Sequence, residues 1–86
     1  MFVVKDDSMM GDRLLTGDVL LIDPEIENKN DNNGVLLIEV DGDKIIRRVY
    51  FSEGKYMLYA SNPSYPDVTL TSIKVIGRIH YNVVRF

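Results

Sequence analysis

Apolar positions along this chain come in short runs, several of them alternating with polar positions. No helix-length stretch repeats an apolar residue every three or four places, so the pattern predicts strands throughout. Val19 to Ile22 is one apolar run, closed by Asp23-Pro24. Val35 to Val40 and Lys44 to Phe51 form a predicted hairpin around Asp41-Gly42-Asp43, because an Asp-Gly step supplies the backbone angles a tight strand reversal needs. Tyr56 to Ala60 follows the Glu53-Gly54 turn, Val68 to Thr71 is short and β-branched, and Ile73 to Val84 is long. Gly77 inside that last run marks a bulge or bend. Glu25 to Gly34 is polar and rich in turn residues, and reads as an exposed loop. The expected fold class is therefore mainly β, in a single small domain spanning residues 1–86.

Composition narrows this further. A chain of 86 residues buries about 64% of its unfolded surface, enough for one thin core. There is no Cys, so neither a disulfide framework nor a thiolate zinc site can brace that core. No apolar run reaches bilayer-spanning length, and the acidic N-terminal stretch lacks the features of a signal peptide, so a cytoplasmic location without a membrane partner is expected. The formal net charge of −3 argues against a phosphate-neutralising surface over the whole domain. No residue pattern calls for a cofactor or a metal. Asp6, Asp7, Asp41 and Asp43 match no calcium-loop spacing and read as solvated turn residues.

Three patches hold residues able to do chemistry: Asp7-Ser8-Met9 with Thr16-Gly17-Asp18, Ile45-Ile46-Arg47-Arg48-Val49, and Ser61-Asn62-Pro63-Ser64-Tyr65-Pro66. By itself Ser8 reads as a cap or turn residue. As a nucleophile it needs a base, and the sole histidine, His80, lies within the last strand with no evident carboxylate partner. The other route is a lysine whose amine is neutral at working pH.

Taken in order, Ser-Met, Gly-Asp nine residues on, a hairpin whose second strand carries a basic pair, Ser-Asn-Pro-x-Tyr-Pro and a final Ile-Gly-Arg-Ile strand resemble the C-terminal domain of LexA and phage CI-type repressors. That family consists of self-cleaving serine/lysine peptidases, includes UmuD-like proteins, and has signal peptidases as distant relatives. The resemblance runs from about Val4 to Phe86 and implies a LexA or signal-peptidase type of complex β fold, with Met1 to Val4 as its first strand. It places Ser8 on the nucleophile position. The general base of the family is the first member of a Lys-Arg pair, and here that pair is Arg47-Arg48. A guanidinium cannot be deprotonated in a protein, so Arg47 at the base position predicts a site without self-cleavage. Lys44 is the alternative base for an active autopeptidase, although three residues from Arg47 it points to the other face of the strand and would need a bulge or register slip.

The resemblance further implies a transcription regulator, from a prophage or phage-like repressor, acting as a dimer. Only seven residues precede Ser8, so the family's cleavage segment and N-terminal DNA-binding domain are expected to lie outside this sequence, with DNA contacted only through the latter. A RecA-like coprotease is a further partner the family brings. The expected dimer surface is Ile76 to Phe86, read as an edge strand in which Ile79, Tyr81 and Val83 alternate with Arg78, His80 and Asn82. A rival reading from a different class takes Tyr50, Phe51, Tyr56, Tyr59 and Tyr65, beside Arg47, Arg48 and Lys55, as a stacking platform for single-stranded nucleic acid.

Overall fold

A computed structural model describes residues 1–24 and 34–84, with side chains through Ile79. The loop expected from Glu25 to Gly34 therefore lies outside the described residues, Gly34 excepted. The chain forms β1 (Phe2–Val3), a single 3-10 turn (Met10–Asp12), β2 (Val19–Asp23), β3 (Val35–Val40), β4 (Asp43–Ser52), β5 (Lys55–Tyr59), β6 (Val68–Leu70) and β7 (Lys74–Val84). All seven strands join one antiparallel sheet in the order β1-β2-β7-β3-β4-β5-β6. The mainly β expectation holds, with strand limits within a residue or two of those the sequence predicts. Among the described residues no helix is long and apolar enough to cross a membrane.

Both predicted hairpins close on two-residue turns whose central residues all have positive φ. Asp41 and Gly42 lie at 51° and 84°, and Glu53 and Gly54 at 53° and 74°. That geometry matches the twist of the flanking strands, and it lets Val40 pair with Asp43 and Ser52 with Lys55. Asp43 is thus a strand residue and not part of the turn.

The sheet curls around two apolar clusters. Val4, Met9, Leu14, Leu20, Val35, Leu37, Ile46 and Ile79 form the first, and Leu36, Ile38, Val49, Tyr56 and Leu58 the second. Strand β3 supplies both, alternate residues going to opposite sides, which is why Val35 to Ile38 reads as an unbroken apolar run. Ile45 and Val49 of β4 pack with the second cluster while Ile46 packs with the first. Arg47 thus occupies a row position between two core residues of one face.

The expected role of Gly77 has a structural basis. The β3–β7 register slips between Leu37 and Ile38, opposite Gly77 and Val75, and a Cβ on Gly77 would sit 2.6 Å from the Asp23 carbonyl oxygen. The expected edge position of the last strand is wrong. β7 lies inside the sheet, laddered to β3 over Lys74–Arg78 and to β2 over Arg78–Val84, and the edges are β1 and β6. Ile79, expected on a dimer surface, is a core residue with 3% of its surface exposed. Alternation within a strand reports which face is apolar but not which strands flank it. The side chains of His80, Tyr81, Asn82 and Val83 lie outside the described residues.

Candidate functional site

Ser8 sits on the segment between β1 and the 3-10 turn, where its neighbour Met9 is driven into the first core cluster. That burial draws Ser8 in with it, and none of its surface is exposed. The price in unsatisfied polar groups is avoided by three hydrogen bonds. The Ser8 N–H donates to Asp6 Oδ1 at 3.0 Å, its carbonyl accepts the Asn62 N–H at 3.0 Å, and its Oγ accepts Arg47 Nη1 at 2.8 Å.

The other two sequence patches converge on the same point. Arg47 Nη1 also donates to the Ile46 carbonyl at 2.7 Å, so the guanidinium bends back along its own strand as it reaches Ser8. Asn62, 5% exposed, donates from Nδ2 to the Asp7 carbonyl at 3.1 Å and accepts the Ser64 N–H at 3.0 Å. Tyr65 donates its hydroxyl to Asp7 Oδ1 at 3.0 Å, and the Arg47 guanidinium carbon lies 5.6 Å from its ring centroid. The Ser61 hydroxyl accepts the Asp12 N–H at 3.1 Å. Gly11 lets this loop approach closely, since a Cβ there would meet the Ser61 carbonyl oxygen at 2.6 Å. The Gly17-Asp18 turn supports the arrangement from one step away. Buried Asp18 accepts the Leu15 N–H at 2.9 Å, and its carbonyl takes the Val4 N–H at 2.9 Å.

Arg48 points elsewhere, donating Nη2 to Asp12 Oδ1 at 2.6 Å. Asp12 Oδ2 is buried without a partner. Sequence reasoning missed this ion pair because 36 residues separate its members. Lys44 stays exposed at the start of β4, across from Glu39. The aromatic residues do not form one stacking platform. Tyr56 is buried in the second cluster against Phe51, Tyr50 and Tyr59 meet edge to face at 5.3 Å, and Tyr65 belongs to the Ser8 site.

Asp6 is the other residue that sequence reasoning misplaced. It is half-buried, not a solvated turn residue, and its hold on the N–H two residues ahead is an Asx-type turn. Burial pushes its carboxyl up, but the hydrogen bonds with the Ser8 side chain and backbone, together with the Arg47 and Lys5 charges, outweigh burial and hold it below the ordinary carboxylate value. Tyr65 moves the other way. The Asp7 hydrogen bond, then desolvation and the Asp6 and Asp7 charges raise its phenol above the ordinary value, against Arg47.

Chemically, the arrangement is a buried serine whose hydroxyl meets a permanent cation and whose backbone N–H meets a carboxylate. It presents a charge-assisted donor to Ser8 Oγ, and among the described residues no amine hydrogen-bonds that oxygen.

This geometry belongs with the following similarities. The chain is 28% identical over 80 residues to a LexA repressor of Geobacter metallireducens, covering 88% of this chain and 39% of that protein. It is 32% identical over 65 residues to a LexA repressor of Verrucomicrobium spinosum, covering 76% of this chain and 31% of that protein. The chain thus spans well under half the length of the curated relatives it matches. The Peptidase S24-like family matches residues 1–80, nearly the whole chain, and the chain belongs to that family.

Proposed function

We propose that this chain is the C-terminal regulatory and dimerisation domain of a LexA-like transcriptional repressor of prophage or phage-like type, without self-cleavage. The observation that carries this reading is Arg47 Nη1 on Ser8 Oγ at 2.8 Å. Ser8 takes the nucleophile position and Arg47 the base position. Self-cleavage by a serine/lysine pair needs the serine's proton to pass to a neutral amine, and a guanidinium has no lone pair to receive it. The domain's remaining task is association. Pairing two DNA-binding heads raises the effective concentration of the second binding event, so a silent domain still governs operator occupancy.

A serine-reactive fluorophosphonate tests the silent half of this reading. The wild-type chain is expected to show no labelling above a Ser8→Ala control. Labelling that Ser8→Ala abolishes would establish an active autopeptidase, and Lys44 would be the base to examine next.

Sedimentation equilibrium tests the other half. A reversible dimer is expected. A monomer at every concentration accessible to the method would remove dimerisation from this domain's functions.

A further inference from the structure

We propose that Ser61 to Pro66 form a strap across the Ser8–Arg47 contact, anchored at Asn62 and latched by the Tyr65 hydroxyl on Asp7, so that access to Ser8 is controlled apart from the chemistry at position 47. The inference deepens the reading of Ser8 as a silenced nucleophile position and rests on it for the meaning of that access. It starts from exposure. None of the Ser8 surface is exposed, so bond formation at Oγ requires part of its cover to move. The groups that hydrogen-bond the serine from distant parts of the chain are Arg47, on Oγ, and Asn62, on the carbonyl.

The two ends of the Asn62 segment are held in different ways. At Asn62, 5% exposed, the N–H donates to the Ser8 carbonyl at 3.0 Å and Nδ2 to the Asp7 carbonyl at 3.1 Å. One residue earlier the Ser61 hydroxyl takes the Asp12 N–H at 3.1 Å. Breaking buried bonds of this kind leaves polar groups unpaired away from water. Asn62 to Tyr65 then form a β-turn, closed by the Tyr65 N–H on the Asn62 carbonyl at 3.0 Å and by the Ser64 N–H on Asn62 Oδ1 at 3.0 Å. Pro63 at its first central position fixes φ, so the turn moves as a unit.

The far end is held at the surface. Tyr65 donates its hydroxyl to Asp7 Oδ1 at 3.0 Å in an exposed hydrogen bond, and its ring centroid lies 5.6 Å from the Arg47 guanidinium carbon. Water can take the place of that hydroxyl contact at little cost. Tyr65 therefore bridges Asp7, next to Ser8 in the chain, and Arg47, bonded to Ser8 Oγ. Swinging it outward releases both without disturbing the bonds at Asn62.

Tyr65→Phe keeps the ring beside Arg47 and removes only the latch. In the full 86-residue chain, solvent exchange of the Arg47 guanidinium protons, followed by ¹⁵N NMR, is expected to quicken about 2- to 10-fold, the range set by the net worth of one hydrogen bond. Asp7→Ala removes the acceptor and is expected to quicken exchange as well, and adding Tyr65→Phe to it should bring no further gain, since both act through one bond. The amides of Val35–Val40 are expected to exchange as in the wild type, which separates strap opening from a loss of global stability. Guanidinium exchange unchanged by Tyr65→Phe, a gain that persists in full beside Asp7→Ala, or an equal gain in Val35–Val40 overturns the proposal. Fluorophosphonate labelling separates the strap from the reading it rests on. On an Arg47→Lys background, Tyr65→Phe is expected to raise the rate of Ser8 labelling by a similar factor, and a labelling rate that it leaves unchanged overturns the strap's control of access. Faster guanidinium exchange in Tyr65→Phe, with Ser8 unlabelled in every Arg47→Lys variant, supports the strap and refutes position 47 as the base position.

Discussion

Replacing Arg47 by Lys is expected to make Ser8 reactive toward a fluorophosphonate at alkaline pH, with a rate gain of about 10²- to 10⁴-fold over the wild type, the range that a positioned general base contributes. The guanidinium beside Ser8 has no neutral form in a protein, whereas an amine does. The shorter lysine keeps one donor for Ser8 Oγ and gives up the second contact that Arg47 Nη1 makes with the Ile46 carbonyl. That release also loosens a site in which the wild-type serine has no exposed surface. Because an ordinary lysine amine carries its proton at neutral pH, the gain should be small there and large above it. Labelling rates at the two pH values, with chemical denaturation confirming the fold, check this. A folded Arg47→Lys chain that stays unlabelled at alkaline pH would show that positions 8 and 47 are not a nucleophile–base pair.

Ile38→Ala is expected to cost about 2–5 kcal/mol, a large share of the roughly 4–13 kcal/mol available to a chain of this size. Ile38 is fully buried in the strand that feeds both core clusters, so the methyl groups it loses leave a cavity that neighbours on either side cannot close. Glu39 is the next residue along. Its ion pair with Lys74 spans 3.5 Å between side chains that are 30% and 73% exposed, and Glu39→Ala should cost at most about 1 kcal/mol. Urea unfolding of both variants gives the comparison. Equal costs would mean that β3 does not occupy the centre of the core.

Several parts of this structure were legible one residue at a time. The Asp41-Gly42 step announced a hairpin because glycine and aspartate tolerate the positive φ that both turn positions adopt. Val35 to Ile38 announced a strand buried on two faces because no polar residue interrupts it. The period-two alternation of β4 separated Lys44 from Arg47, and in the folded chain Lys44 is exposed while Arg47 reaches Ser8. The family resemblance pointed to the same pair through the order of short motifs, each too short to be informative alone.

Other parts depended on contacts between residues far apart in the chain. The place of β7 between β2 and β3 is set by which ladders form on its two sides, and a strand's own residues are compatible with an edge or an interior position. The Arg48–Asp12 pair and the Asn62 hydrogen bonds to the Ser8 segment link residues 36 to 55 positions apart. Asp6 is the sharpest case. Beside Asp7 in the sequence it looks like a second solvated turn residue, and only the burial of Met9, which pulls Ser8 and Arg47 together next to it, makes one carboxylate part of the serine's surroundings and leaves the other to Tyr65. What the sequence by itself determined was the set of strands, the two tight turns and the absence of a titratable base at position 47, because these follow from local backbone preference and from the chemistry of one side chain. Which groups surround Ser8 was decided by tertiary structure, since hydrogen-bond partners at a buried atom are chosen by packing across the whole sheet.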